Sequence, residues 1–123
     1  MCQSSRELGA RGEDIAIEHL ESLGFYVVSR NFRTRFGEID LIARDGDTIV
    51  FVEVKARRSR QFGRAVEQIT KGKRRKIVKT AGEYLRRSGS LESCVRFDVL
   101  AIDILPGGEV RIEHVKGAFN GWR

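Results

Sequence analysis

Cysteine is almost absent from this sequence, and its two copies, Cys2 and Cys94, stand far apart with no Cys-x-x-Cys pair. This argues against a disulfide framework and also against a zinc site, because His19 and His114 fall in no ligand spacing with them. Long apolar runs are missing too, and nothing approaches the ~18 residues that a membrane span requires. The first residues do not show the basic, apolar, small-residue order of a secretory signal. These absences lead us to expect a cytoplasmic protein with no membrane partner. No repeat, low-complexity tract or linker divides the 123 residues, and 41% of them are hydrophobic, enough apolar material for one core. One domain is expected over residues 1–123, with its core at about 5–119.

What the chain has in excess is positive charge, +6 overall, and the charge is unevenly spread. Residues 55–79 hold eleven basic side chains against the single acid Glu67, so that segment is +10 and the remainder −4. Lys55, Arg57, Arg58, Lys71, Lys73, Arg74, Arg75, Lys76 and Lys79 belong to it. A block of this kind is what a phosphate-binding face requires, since each neutralised phosphate releases counterions. It is equally what a solvated helix surface shows.

Residues 5–23 read as an amphipathic helix stopped by Gly24. Glu7, Arg11, Asp14, Glu18 and Glu21 share its polar face, and Leu8, Gly12, Ala16, Leu20 and Leu23 its inner one. Gly9 and Gly12 take side chains off that inner face, which lets the backbone approach a sheet closely. His19 also projects inward, as a hydrogen-bonded core histidine. Strands are expected at 25–32, 38–44 and 48–55, with a basic turn at 33–37 and a hairpin turn at Asp45-Gly46, both of whose positions then take φ > 0. A second helix is expected at 70–87, with Ile77, Val78, Ala81, Tyr84 and Leu85 on one stripe and Arg75, Lys76, Lys79 and Arg86 on the other side. Strands at 95–104 and 110–115, separated by Pro106-Gly107-Gly108, complete the order α-β-β-β-α-β-β. The fold class expected is α/β, a mixed sheet with helices packed on it.

The 38–55 hairpin carries the chemistry. With a two-residue loop at Asp45-Gly46, Ile42 faces Ile49, Asp40 faces Phe51 and Glu38 faces Glu53. Alternation then puts Ile39, Leu41, Ala43, Val50, Val52 and Val54 on one apolar face, which belongs to the core. The other face carries Ile42, Ile49 and Phe51 near the turn and gathers Glu38, Asp40, Glu53 and Lys55 at the far end. Clustered carboxylates repel, and a divalent cation between Asp40 and Glu53 relieves the repulsion. Mg²⁺ suits this arrangement because it takes one or two carboxylates and completes its shell with water and phosphate. Such an ion polarises a phosphate and acidifies a water, while Lys55 positions that water or stabilises charge on phosphorus. A surface salt-bridge cluster uses the same residue types. The cross-strand parity of Asp40 with Glu53 and the basic block that begins at Lys55 favour the metal site. Glu13, at the edge of the first helix's inner stripe, either joins this cluster or pairs with a nearby arginine. Gln68, just before the basic helix, either contacts substrate or water or is an exposed polar residue.

The runs Gly37-Glu38-Ile39-Asp40-Leu41-Ile42 and Phe51-Val52-Glu53-Val54-Lys55 resemble the PD-(D/E)xK nuclease core, with Ile39 in place of proline as in its resolvase-like branch. Together with Gly9-x-x-Gly12-Glu13, Asn31-Phe32-Arg33, Lys73-Arg74-Arg75-Lys76 and Arg96-Phe97-Asp98-Val99, they make the chain similar to the YraN family of predicted endonucleases from Gly9 to Phe119. The resemblance implies a restriction endonuclease-like fold near the archaeal Holliday-junction resolvases. It implies Mg²⁺, or Mn²⁺ in its stead, held by Asp40, Glu53 and the backbone carbonyl of Val54. It makes Lys55 the catalytic lysine, Glu13 the accessory acid of the first helix, and Gln68 a position used in the helix that follows. The substrate implied is DNA, with branched or structured DNA among the candidates, gripped by Arg57, Arg58, Lys71, Lys73, Arg74, Arg75, Lys76 and Lys79. A homodimer suits a branched substrate with two-fold symmetry. Two other readings use the same residues: a non-catalytic nucleic-acid-binding or adaptor module that keeps the fold, and a scaffold whose basic face meets an acidic protein.

Overall fold

The computed structural model describes residues 5–58 and 69–119. Helix α1 (Ser5–Ser22) is followed by strands β1 (Tyr26–Thr34), β2 (Gly37–Asp45) and β3 (Thr48–Arg57), helix α2 (Lys71–Ser88), and strands β4 (Val95–Ile104) and β5 (Val110–Phe119). This is the order expected from the sequence. The five strands form one sheet in the order β1-β2-β3-β4-β5. Only β3 and β4 run parallel, because the connection between them includes a helix instead of a tight turn. Thr70 begins α2 by accepting the Lys73 N–H, and Gly89, at φ 69°, ends it in a left-handed cap.

Each helix covers one face of the sheet. Ala16 and Leu20 of α1 pack with Leu41, Ala43, Val50, Val52, Leu100 and Ile102. Ile77, Ala81 and Leu85 of α2 pack with Ile42, Ile49, Phe51, Phe97 and Val99 on the opposite face. Both faces of the β2–β3 hairpin are therefore buried near its turn, which accounts for the apolar residues expected on its second face. The mixed sheet between helices is consistent with a restriction endonuclease-like fold.

Gly12 makes the close approach of α1 to β3 possible, since a Cβ there would lie 2.5 Å from the Cβ of Ala56. Gly9 has no such neighbour and instead borders an open cleft. Leu23, expected on the inner face, is 49% exposed, because α1 ends before it. Thr80 is fully buried on α2 and satisfies its hydroxyl on the Lys76 carbonyl at 2.7 Å. Among the described residues no helix is long and apolar enough to cross a membrane.

The hairpin register differs from the expected one. Asp45 pairs with Thr48 and Ile42 with Phe51, so the turn residues are Gly46 and Asp47 instead of Asp45 and Gly46. Only Gly46 has positive φ, at 60°, the pattern of a turn with glycine in its first central position. The change moves each partner by two residues and leaves the faces unchanged.

Regular alternation stops at Asp40. Ile39 packs on the α2 side and Leu41 on the α1 side, although residues two apart on a regular strand share a face. The neighbouring strand is irregular at the same level. Arg30 pairs with Leu41 and Phe32 with Ile39, and between them Asn31 sits at φ 57°, the only non-glycine with positive φ among the described residues. The pairing of β2 with β3 extends only from Asp45↔Thr48 to Leu41↔Val52. Beyond it the strands separate.

Candidate active site

Where β2 and β3 part, the side chain of Asp40 replaces the missing strand hydrogen bond. Its Oδ2 accepts the Val54 N–H at 2.9 Å. The fork opens into a cleft of about 410 Å³ bounded by Leu8, Gly9 and Glu13 of α1, Asp40 of β2, Glu53, Lys55 and Ala56 of β3, and Lys73 of α2. Five residues named from the sequence, Glu13, Asp40, Glu53, Val54 and Lys55, thus share one concavity.

Glu53 is only 8% exposed and shares the cleft with the half-buried Asp40. Burial pushes the Asp40 carboxyl up to about 8, and the neighbouring Glu53 carboxylate pushes in the same direction. The Val54 N–H and the Lys73 ammonium oppose them. An acid half-buried beside the buried Glu53 ionises at a cost, so Asp40 keeps its proton or meets a cation. Lys73 partly answers that need, with its Nζ 3.6 Å from Glu53 Oε1.

Glu13 lines the cleft from α1, and its partner is an arginine, one of the two alternatives open at the sequence level. Arg30 Nε lies 3.1 Å from its Oε1, and only 15% of the Glu13 side chain is exposed. Asn31 Nδ2 donates to the same oxygen at 3.3 Å. The irregularity opposite Asp40 therefore also aims Glu13. No group of three or more His, Cys, Asp or Glu side chains is placed to hold a metal among the described residues. A cation between Asp40 and Glu53 would have to complete its shell with main-chain carbonyl, water or phosphate oxygens. That donor set suits a hard ion such as Mg²⁺.

The basic block is divided between exposed and engaged side chains. Arg58, Lys71, Arg75, Lys76 and Lys79 are exposed and free to meet phosphate. Lys73 turns to Glu53, and the Arg74 guanidinium lies 5.4 Å from the centre of the Phe119 ring. Arg57 corrects the expectation of a phosphate contact. Its side chain is 10% exposed and its Nε sits 2.7 Å from Asp103 Oδ1, so its charge ties β3 to β4 within the sheet. Gln68 lies outside the described residues.

One polar network was not visible in the sequence. Asp98, on the α1 side of β4, accepts from Arg96 at 2.8 Å and from the Gly117 N–H at 3.0 Å. His114 Nε2 lies 2.8 Å from its other oxygen, and His114 Nδ1 in turn lies 3.2 Å from His19 Nε2. Burial alone pushes the Asp98 carboxyl up, but the bonds from His114, Arg96 and Gly117 outweigh it and hold the carboxyl below its usual value. Burial, then the charge of His114, lowers His19. The inward histidine expected on α1 thus fastens the helix to β5. The only sequence hint was Asp98 itself, a charge set between the apolar Phe97 and Val99.

Sequence comparison covers most of the chain. The family model described as "Uncharacterised protein family UPF0102" matches residues 12–102. A UPF0102 protein of Rhodococcus jostii (strain RHA1) is 52% identical over 112 residues, 91% of this chain and 95% of its own. Another, from Geobacter sulfurreducens, is 50% identical over 91% of this chain and 88% of its own. One from Symbiobacterium thermophilum is 44% identical over 94% of this chain and 98% of its own. The chain belongs to the UPF0102 family.

Proposed function

We propose that this protein is a Mg²⁺-dependent endonuclease of the PD-(D/E)xK kind that hydrolyses phosphodiester bonds of DNA. The observation that carries the reading is the pair of carboxylates, the half-buried Asp40 and the buried Glu53, gathered where two strands part, with Lys55 in the same cleft. A structural ion pair does not require two acids to share so confined a place, and their mutual repulsion is a cost that a bound cation removes.

Asp40, Glu53 and the main-chain carbonyl of Val54 would hold the ion, and when bound it supplies Lewis-acid polarisation of the phosphate and a more acidic water. In the hydrolysis a water oxygen bonds to phosphorus as one ester P–O bond breaks. The water gives up a proton, and the departing oxygen gains one. Lys55 orients the water and stabilises negative charge gathering on the phosphoryl oxygens. Glu13, held by Arg30 and Asn31, orders water at the α1 wall. The exposed cations of α2 draw the strand to the cleft.

Purified protein should cut DNA with Mg²⁺ and not with EDTA, and Lys55→Ala should abolish cutting while leaving the melting temperature in place. Cleavage that persists in a Lys55→Ala, Asp40→Ala double variant would remove this site from consideration. The ion pair between Lys73 and Glu53 favours a second reading, in which an ammonium stands where the metal would and the chain binds nucleic acid without cutting it. That reading requires affinity indifferent to Mg²⁺.

A further inference from the structure

The basic turn between β1 and β2 is not used by the cleft, yet it is built with care. Arg35 and Phe36 form its tip, and the Phe36 N–H donates to Thr34 Oγ1 at 3.1 Å. Gly37 rests on the middle of α2, where an added Cβ would lie 3.5 Å from Thr80 Oγ1 and 3.6 Å from Lys76 Cβ. The half-buried Phe36 ring has the Arg35 guanidinium 5.0 Å from its centre and the Lys79 ammonium at 6.0 Å. Beside it opens a second pocket, of about 350 Å³, lined by Thr34, Arg35, Phe36, Glu83, Arg86 and Arg87.

The chemistry of this pocket is specific. It offers an aromatic wall, three guanidinium groups and one carboxylate, Glu83, to which Arg86 and Arg87 are both paired. Arg35 has no acidic partner among the described residues. An aromatic face in a pocket with more cations than carboxylates suits a ligand with a flat π-system and a negative charge, as a nucleotide with an unpaired base has. A base inside a duplex presents only its edges and could not lie against Phe36.

The two pockets are joined along one side of α2. Lys73 borders the first, Glu83, Arg86 and Arg87 border the second, and Lys76 and Lys79 stand exposed between them. The ten helical steps from Lys73 to Glu83 span about 15 Å, roughly four nucleotides at duplex spacing and fewer in an extended strand. We propose that the Phe36 pocket receives one unpaired nucleotide of the strand whose phosphate occupies the Asp40–Glu53 cleft. Its base lies against Phe36, and its phosphate lies by Arg35. The substrate class is then DNA with a single-stranded segment beside the cut, and blunt duplex is a poor substrate. This rests on the nuclease reading for the identity of the strand, but not for binding itself.

The test is fluorescence anisotropy in EDTA, so that nothing is cut, with a blunt duplex, the same duplex carrying a single-stranded overhang, and that overhang made abasic. The overhang should bind at least about fivefold tighter than the blunt duplex, and the abasic version should lose that gain, because base–aromatic stacking contributes about 1–3 kcal/mol. Phe36→Ala should lose the same factor on the overhang and nothing on the blunt duplex, and Phe36→Trp should restore it. Equal binding of all three DNAs, or a Phe36→Ala loss that is the same on each, overturns the proposal. Saturable binding of a free mononucleotide that Phe36→Ala abolishes, without any overhang preference, overturns it too, since the pocket would then serve free nucleotide. An overhang preference without Mg²⁺-dependent cutting leaves the pocket standing and sinks the nuclease reading; cutting without the preference does the reverse.

Discussion

Replacing Asp40 by asparagine should make the metal-free protein more stable. Asparagine keeps an oxygen for the Val54 N–H and removes the charge that burial and Glu53 oppose. The folded state retains a proton on Asp40 between 3.8 and about 8, whereas the unfolded chain has lost it. Native protein thus binds more protons than unfolded protein in that window, and wild-type stability falls as pH rises through it, levelling off above. At ~1.4 kcal/mol per pH unit the upper bound is about 6 kcal/mol. Because Asp40 is only half-buried and Lys73 answers part of the opposing charge, we expect about 2 kcal/mol, on the order of 8 °C in Tm for a chain of this size. The assay is thermal unfolding of both proteins across the pH range, with and without Mg²⁺. The advantage of Asp40→Asn should vanish at the acid end, be largest above the window, and shrink when Mg²⁺ stabilises the wild type alone. A variant less stable than wild type at alkaline pH, or an advantage that does not change with pH, would refute the reasoning.

Gly12→Ala should lower stability by about 1–3 kcal/mol in urea unfolding, because the new methyl group meets Ala56 at 2.5 Å. It should also weaken activity by shifting Glu13 on the next residue. Asp98→Asn should cost about 3–5 kcal/mol in the same measurement, since it leaves Arg96 beside a neutral group and loosens His114. Reversing Arg75, Lys76 and Lys79 to glutamate should weaken DNA binding and flatten the slope of log K against log salt by about 3, read in a salt titration.

The elements themselves were legible because their signals are local. Strand β4 was bounded correctly by its run of Val, Phe, Leu and Ile. α2 was placed within a residue by its apolar stripe. The hairpin was recognised, but its turn was misplaced by one residue, since Asp-Gly fits two turn types that use glycine at different positions. The misplacement preserved parity, and that is why Asp40 and Glu53 were read on one face. It also hid how near the two acids lie, because the observed register, carried one step past Leu41↔Val52, brings Asp40 toward Glu53 and not Phe51. The separation of β2 from β3 is accompanied by a left-handed Asn31 in the neighbouring strand, which no period in the sequence reveals. β5 was ended too early, because Gly117, at φ 61°, accompanies a register shift that lets pairing continue to Phe119. Partners remote in sequence were invisible for the same reason. Arg57 finds Asp103, and His19 finds His114, only once the sheet has formed.

Titration of the protein with Mg²⁺, followed by NMR, tests the central claim most directly. The amide of Val54 reports on Asp40 through their hydrogen bond. Saturable shifts should appear at Asp40, Glu53 and Val54 and be lost in Glu53→Gln. Shifts confined to exposed acids such as Glu92 and Glu109, or none at all, would contradict it.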